Sequence, residues 1–399
     1  MSDQKSYSAS VLERFGATHP DLEIWWDSSP LVFESWRSEM IKAADPDRRE
    51  ATVQALTRLW DPERPEVTEF RGATTNPPLS LAAMRHDPER WAAWIRAYQA
   101  EHPGADVETI FWALYLEIVR LGADRLRPLF ESSGRRYGHL SGQVDPRSAF
   151  DSDAMLRQAL QVAAQGPNVM VKIPGTREGL PILRELTSRG IPTNCTAAFV
   201  VPQFVAVAEN IQAGLLEARA SGVDLVRWKS VVTDMSARWE NVPEFAANAM
   251  SVGIELTPED RRWAGIAVFK KAQHVFRERA YPSKMLICSV RVGPTVDGVQ
   301  RCWHLEHTAG ADAVFTLPPV FLTDFLKQCP DLTFTPKIWD EIPADVMARL
   351  RKVPYFNAGY EPDGIGVEDF DAIPALQSTY REFSKATEEM VAFVAERMG

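Results

Sequence analysis

The stretch NVMVKIPGTREG, residues 168–179, holds the end of one structural element and the start of the next. Asn168 to Ile173 is mostly apolar and β-branched, the composition of a strand buried on both faces. Pro174 and Gly175 stop the run, and a helical pattern begins at Thr176. A buried strand that turns sharply into a helix is the repeating unit of an α/β fold. One residue resists this description. Lys172 places an ammonium group at the end of a strand that wants no water.

The same alternation recurs along the chain. Strands are predicted at 23–28, 69–76, 136–145, 168–175, 191–199, 226–235, 284–291 and 313–319. Amphipathic helical periodicity is clearest at 78–99, 107–130, 177–189, 200–220 and 258–280. Eight strands alternating with helices over about 300 residues is the pattern of an α/β (β/α)8 TIM barrel with insertions. An open doubly wound sheet is the runner-up, but no Gly-x-Gly-x-x-Gly turn follows any strand. No repeat or low-complexity linker divides the chain. It therefore reads as a barrel with an N-terminal extension and insertions over 1–330, and a helical C-terminal extension over 331–399 that packs on the barrel. Two additions stand out: the charged, proline-rich 43–68, and an unbroken helical pattern at 376–398.

Bulk properties narrow the function. The chain has 399 residues, 45% apolar and 25% charged, an ordinary globular composition. A net charge of −10 argues against binding a nucleic-acid backbone, and any anionic substrate would need a local basic pocket. Residues 1–16 show no apolar core flanked by positive charge, so no signal peptide is expected there. No apolar run is long enough to span a membrane. Cys195, Cys288, Cys302 and Cys329 are scattered, as are the seven histidines, without metal-ligand spacing. The expectation is a reduced, cytoplasmic protein without a catalytic metal or other cofactor.

In a barrel, the C-terminal strand ends supply the chemistry. Here they carry Asp27, Asn76, Gln143, Lys172, Asn194 with Thr196, Thr233, and Ser289 with Arg291. Burying such groups without partners would cost about 1–3 kcal/mol each. Lys172 could be a snorkelling side chain or half of a buried ion pair, although its neighbours in VMVKIP are all apolar. Alternatively, desolvation lowers its pKa and leaves a neutral amine able to attack a carbonyl. Spacing alone puts the two readings close together.

Three segments separate them. GATTNPPL (72–79), VKIPGTREGL (171–180) and GIPTNCT (190–196) resemble the signature segments of the transaldolase family, in the same order and spacing. VVTDMSAR (231–238), ICSVR (287–291) and TAGADAVFTLPP (308–319) sit where that family has its later motifs. The resemblance covers roughly residues 22–328, the span of a barrel. It implies a Schiff-base enzyme in which Lys172 attacks a ketose carbonyl and the iminium acts as an electron sink. Asp27 would be the acid/base carboxylate, although the segment from Asp27 to Pro30 is also a helix start that Asp27, Ser28 or Ser29 could cap. Asn76 and Asn194 would hold substrate hydroxyls, and Thr196 would help to place the water of imine formation. Thr233 stands where the family has a substrate-contacting serine. Arg238, Ser289 and Arg291 would clamp a phosphate. The implied partners are sugar phosphates, and the family resemblance suggests a homodimer.

The pattern is broken in three places. Gln143 replaces the usual transaldolase glutamate; an amide can orient a water but cannot carry its proton. A branch of the family resembling fructose-6-phosphate aldolase also carries glutamine here, usually with a compensating tyrosine where this chain has Met235. Asp234 replaces a proline, and could carry protons or pair with Arg238. Three functions follow: a transferase moving a dihydroxyacetone unit between sugar phosphates, an aldolase releasing a free ketone or aldehyde, or a non-catalytic sugar-phosphate-binding protein. Lys172 with Asp27 argues against the third, since binding alone requires neither.

Overall fold

β4, the strand that carries Lys172, runs Val169–Pro174 and is buried throughout. The computed structural model describes residues 9–398. Residues 1–8, part of the stretch expected to hold no signal peptide, and Gly399 lie outside the described residues. The other barrel strands are β1 (Glu23–Trp26), β2 (Phe70–Thr74), β3 (His139–Gln143), β5 (Thr193–Ala198), β6 (Ser230–Asp234), β7 (Lys284–Ile287) and β8 (Ala313–Leu317). All pair in parallel, in the closed order β1-β8-β7-β6-β5-β4-β3-β2. Closure is made where Ile24 of β1 lies opposite Phe315 of β8, so the open-sheet alternative is excluded. The fold is a (β/α)8 barrel with additional helices.

Every strand falls inside its predicted stretch and is shorter than it, several for visible local reasons. β2 ends at Thr74 because Asn76 caps the helix Pro77–His86, its Oδ1 accepting the Leu79 amide at 2.9 Å. β7 stops at Ile287, ahead of Ser289, whose φ of +58° cannot continue a strand. β6 starts only at Ser230, since the Trp228 amide folds back onto the Leu225 carbonyl at 3.0 Å. The helical pattern at 78–99 is two helices. Asp87 ends the first and caps Pro88–Glu101, accepting from the Arg90 amide at 3.3 Å. Residues 43–68 hold the helix Arg49–Leu59.

Strand alternation then sorts the side chains. Trp26 faces the helices and packs against Phe33, Trp36 and Phe70, with ring centroids 5.2, 5.1 and 5.8 Å away. Trp25 turns into the barrel, where Gly72 makes room for it; a Cβ at Gly72 would lie 2.7 Å from the indole. Below Trp25, Glu23 accepts from Lys229 at 2.7 Å and from Lys284 at 3.1 Å. Burial pushes the Glu23 carboxyl up, but the two ammonium groups prevail and hold its pKa at about 2. Glu23→Ala is expected to lower the unfolding free energy by about 3–5 kcal/mol at neutral pH, because it strands buried ammonium groups. Urea titration of both proteins measures the loss.

A groove of about 910 Å³ opens at this end of the barrel, but its charges largely answer one another. Asp21 accepts from Arg136 at 2.6 Å and Asp312 from Lys284 at 2.9 Å. His19, Asp21 and Asp312 bring ligand atoms within 4.8 Å of one another, yet both carboxylates already have cationic partners. At the opposite end, the helix Pro374–Ala395 lies against the helices Pro77–His86 and Val107–Ser132. One continuous apolar core extends from Val11 to Val394. Among the described residues, no helix is long and apolar enough to cross a membrane.

Candidate active site

The C-terminal ends of the strands surround a cavity of about 200 Å³ that contains Lys172. Lys172 is 5% exposed, and its Nζ donates to the Thr75 carbonyl oxygen at 3.0 Å. Burial pushes its pKa below the ordinary lysine value, while the charge of Asp27 opposes the shift. The apolar run that made this lysine conspicuous is thus the physical cause of its lowered basicity.

Asp27 follows β1, its amide held by the Leu317 carbonyl of β8 at 3.0 Å. Its side chain is not the helix cap. Ser29 takes that role, accepting from the Leu31 amide at 3.4 Å. The Asp27 carboxylate accepts from Thr74 Oγ1 at 2.6 Å, and Thr74 in turn contacts Thr316 Oγ1 at 2.5 Å. Because the Thr74 proton points at Asp27, the Thr316 hydroxyl donates to Thr74. Burial raises the Asp27 pKa, partly offset by Lys172 and Thr74. Sequence reasoning missed both threonines, since a strand threonine is ordinarily explained by β-propensity alone.

Asn76, Thr196, Thr233, Met235, Arg238 and Ser289 also line the cavity. Arg291 stands just outside it, sharing an adjoining groove with Arg238 and Ser289. Gln143 and Asn194 flank Lys172 in register on β3 and β5 without reaching the cavity wall. Asn194 donates to Ser141 Oγ at 2.9 Å and accepts from Thr233 at 2.7 Å, so both ends of its amide are occupied within the barrel. Gln143 differs: its buried Oε1 has no partner among the described residues. Tyr115 instead grips the Gln143 backbone, donating to its carbonyl at 2.6 Å and meeting its amide at 2.8 Å.

The two arginines are held unequally. Arg238 pairs with Glu382 of the final helix at 2.8 Å, and Arg291 lies 3.7 Å from Glu240. Asp234 therefore does not pair with Arg238, which corrects that alternative. Thr233 turns into the barrel, so Asp234 beside it turns outward beneath the helices. There both carboxyl oxygens are buried without a partner among the described residues, and burial raises the pKa well above the usual aspartate value. Folding therefore retains a proton that the unfolded chain releases near pH 4. Stability is expected to fall as pH rises from there towards the folded-state value, by about 1.4 kcal/mol per unit within that window. Asp234→Asn should flatten the slope, as read from melting temperatures across pH; an unchanged slope would place the titration elsewhere.

The final helix supplies two further wall residues, Glu382 and Phe383, invisible to strand-end reasoning because tertiary docking brings them there. Cys288 also lines the wall; burial pushes its thiol up to about 12, so it stays neutral.

Comparison with known proteins bears on this arrangement. The profile of the transaldolase/fructose-6-phosphate aldolase family matches residues 52–361, which span β2 to β8. It begins after β1, so the place of Asp27 rests on its contacts alone. "Transaldolase 1" of Streptomyces avermitilis is 36% identical over 169 residues, covering 42% of this chain and 44% of that protein. "Transaldolase" of Thiobacillus denitrificans is 32% identical over 209 residues, 52% of this chain and 57% of its own. "Transaldolase" of Mycobacterium ulcerans is 31% identical over 211 residues, 52% and 55% respectively. The chain thus spans about half the length of the curated relatives it matches. A closed parallel barrel with a profile match over most of its length settles the kinship: the chain belongs to the transaldolase/fructose-6-phosphate aldolase family.

Proposed function

We propose that the protein is a Schiff-base transferase that moves a dihydroxyacetone unit from a ketose phosphate to an aldose phosphate. The observation that carries this reading is Lys172, buried, of lowered basicity and sharing one cavity with Asp27. The neutral amine attacks the ketose carbonyl; loss of water leaves an iminium on Nζ. The Asp27 carboxylate takes the proton from the hydroxyl beyond the bond to be cleaved. That oxygen's electrons form the leaving aldehyde, and the electrons of the broken carbon–carbon bond pass into the iminium as an enamine. An incoming aldose reverses these steps. Thr74 and Thr316 hold Asp27 in place, and Thr196, Thr233 and Asn76 face the sugar. Met235 supplies apolar wall, while Arg238, Ser289 and Arg291 receive the phosphate. Asn194 acts through Thr233.

A second reading, an aldolase releasing the free ketone, is favoured by Gln143. Its unpartnered Oε1 can accept from a water beside Lys172, but the amide cannot take that water's proton. We further place the protein in the cytoplasm, as a homodimer, with residues 331–399 completing the barrel instead of forming a separate domain. Sodium borohydride with fructose 6-phosphate, followed by intact mass, tests the Schiff base: no adduct with any ketose would sink both catalytic readings. Glyceraldehyde 3-phosphate released only when an aldose-phosphate acceptor is present identifies the transferase; release without one, with free dihydroxyacetone, identifies the aldolase.

A further inference from the structure

The two arginines assigned to the phosphate differ in what holds them. Arg291 lies 3.7 Å from Glu240, a carboxylate already bonded by Arg262 at 3.0 and 3.2 Å, and otherwise makes only a long 3.4 Å hydrogen bond to Asn241 Oδ1, so it is loosely held. Arg238 is paired at 2.8 Å with Glu382, a residue delivered by the final helix to the wall of the same cavity as Lys172. A carboxylate and a phosphate present the same kind of oxygen acceptor to a guanidinium. We propose that Glu382 is a specificity-determining residue whose carboxylate occupies the phosphate position on Arg238. Every phosphorylated ligand must then compete with it, while an unphosphorylated ketose does not. This rests on the phosphate assignment made above.

The magnitudes make Glu382 a competitor and not a plug. The side chains are 25% exposed for Arg238 and 47% for Glu382, so the pair is weak and open to solvent. A phosphate dianion forms stronger, bidentate bonds and displaces it. Its apparent affinity falls by the fraction of Arg238 left free, a factor of up to about five for a pair of this exposure. Removing the carboxylate also removes its repulsion of the incoming dianion, which acts in the same direction.

The test uses the full chain and the near-isosteric Glu382→Gln, with Glu382→Ala as a second variant. Inorganic phosphate is titrated calorimetrically, and KM is measured for fructose 6-phosphate and for unphosphorylated fructose. Both variants are expected to bind inorganic phosphate about threefold to fivefold more tightly than the parent. The ratio of the KM for the phosphorylated ketose to that for the free ketose should fall by a similar factor. Unchanged or weaker phosphate binding, or equal changes in both KM values, would show that Glu382 merely tethers the helix and would overturn the proposal. Borohydride trapping of dihydroxyacetone separates the two levels. Failure to trap removes the Schiff-base reading; trapping with unaltered phosphate affinity removes only the role of Glu382.

Discussion

Lys172→Ala is expected to lose turnover by at least about 10⁴-fold and to form no borohydride-reducible adduct, since no other group replaces the attacking amine. The residue is 5% exposed, so the truncation also leaves a cavity and should cost about 2–5 kcal/mol of stability. Lys172→Met nearly preserves the volume and isolates the chemistry. Its melting temperature should stay closer to that of the parent while its adduct remains absent. The parent itself should show a pH signature. Burial lowers the pKa of Lys172, so trapping of dihydroxyacetone should rise with pH and level off below the ordinary lysine value of 10.5. A profile still rising at 10.5 would mean that the amine is not desolvated in solution, and an adduct retained in Lys172→Met would place the Schiff base on another lysine.

On the proposed mechanism, Asp27→Asn is expected to separate bond cleavage from imine formation. The amide oxygen can still accept from Thr74 but cannot take the substrate's hydroxyl proton, so kcat is expected to fall about 10²–10⁴-fold. Trapping at Lys172 should persist, because attack on the carbonyl needs the amine and not this carboxylate. The trapping profile should also move to lower pH: the negative charge of Asp27 holds the lysine pKa up, and its removal lets the pKa drop further. Turnover within a few-fold of the parent would return Asp27 to a structural role. Loss of trapping together with turnover would assign it to imine formation.

Much of this was legible in the sequence because each barrel strand is a short apolar run with punctuation at its end. The closure of the sheet, the eight strands and the helix alternation follow from that pattern. Lys172 was legible for the opposite reason, as a charge in an apolar run. Strand ends were overestimated wherever a side chain or a backbone turn captures the chain, as Asn76 does after β2 and Ser289 does after β7. The Thr74–Thr316 pair and Glu382 were not legible. Their roles come from partners 242 positions apart for the threonines, and from a helix that meets the barrel mouth only after folding. Asp234 shows the limit of position matching, since its neighbour Thr233 faces the cavity and one step along a strand reverses the face.

The way the barrel closes also dictates the timetable of its biosynthesis. Asp27 emerges early, but the carbonyl that holds its amide belongs to Leu317, and Thr316 completes the hydroxyl pair behind it. The wall is finished later still, by Glu382 and Phe383. A chain still on the ribosome can therefore possess Lys172 and most of its strands yet lack a working pocket. Its first strand waits for an eighth made almost three hundred residues afterwards, a long-range pairing that is intrinsically slow. During that wait one edge of β1 and one edge of the growing sheet are exposed together, the kind of unpaired backbone that makes slowly closing sheets prone to wrong pairing.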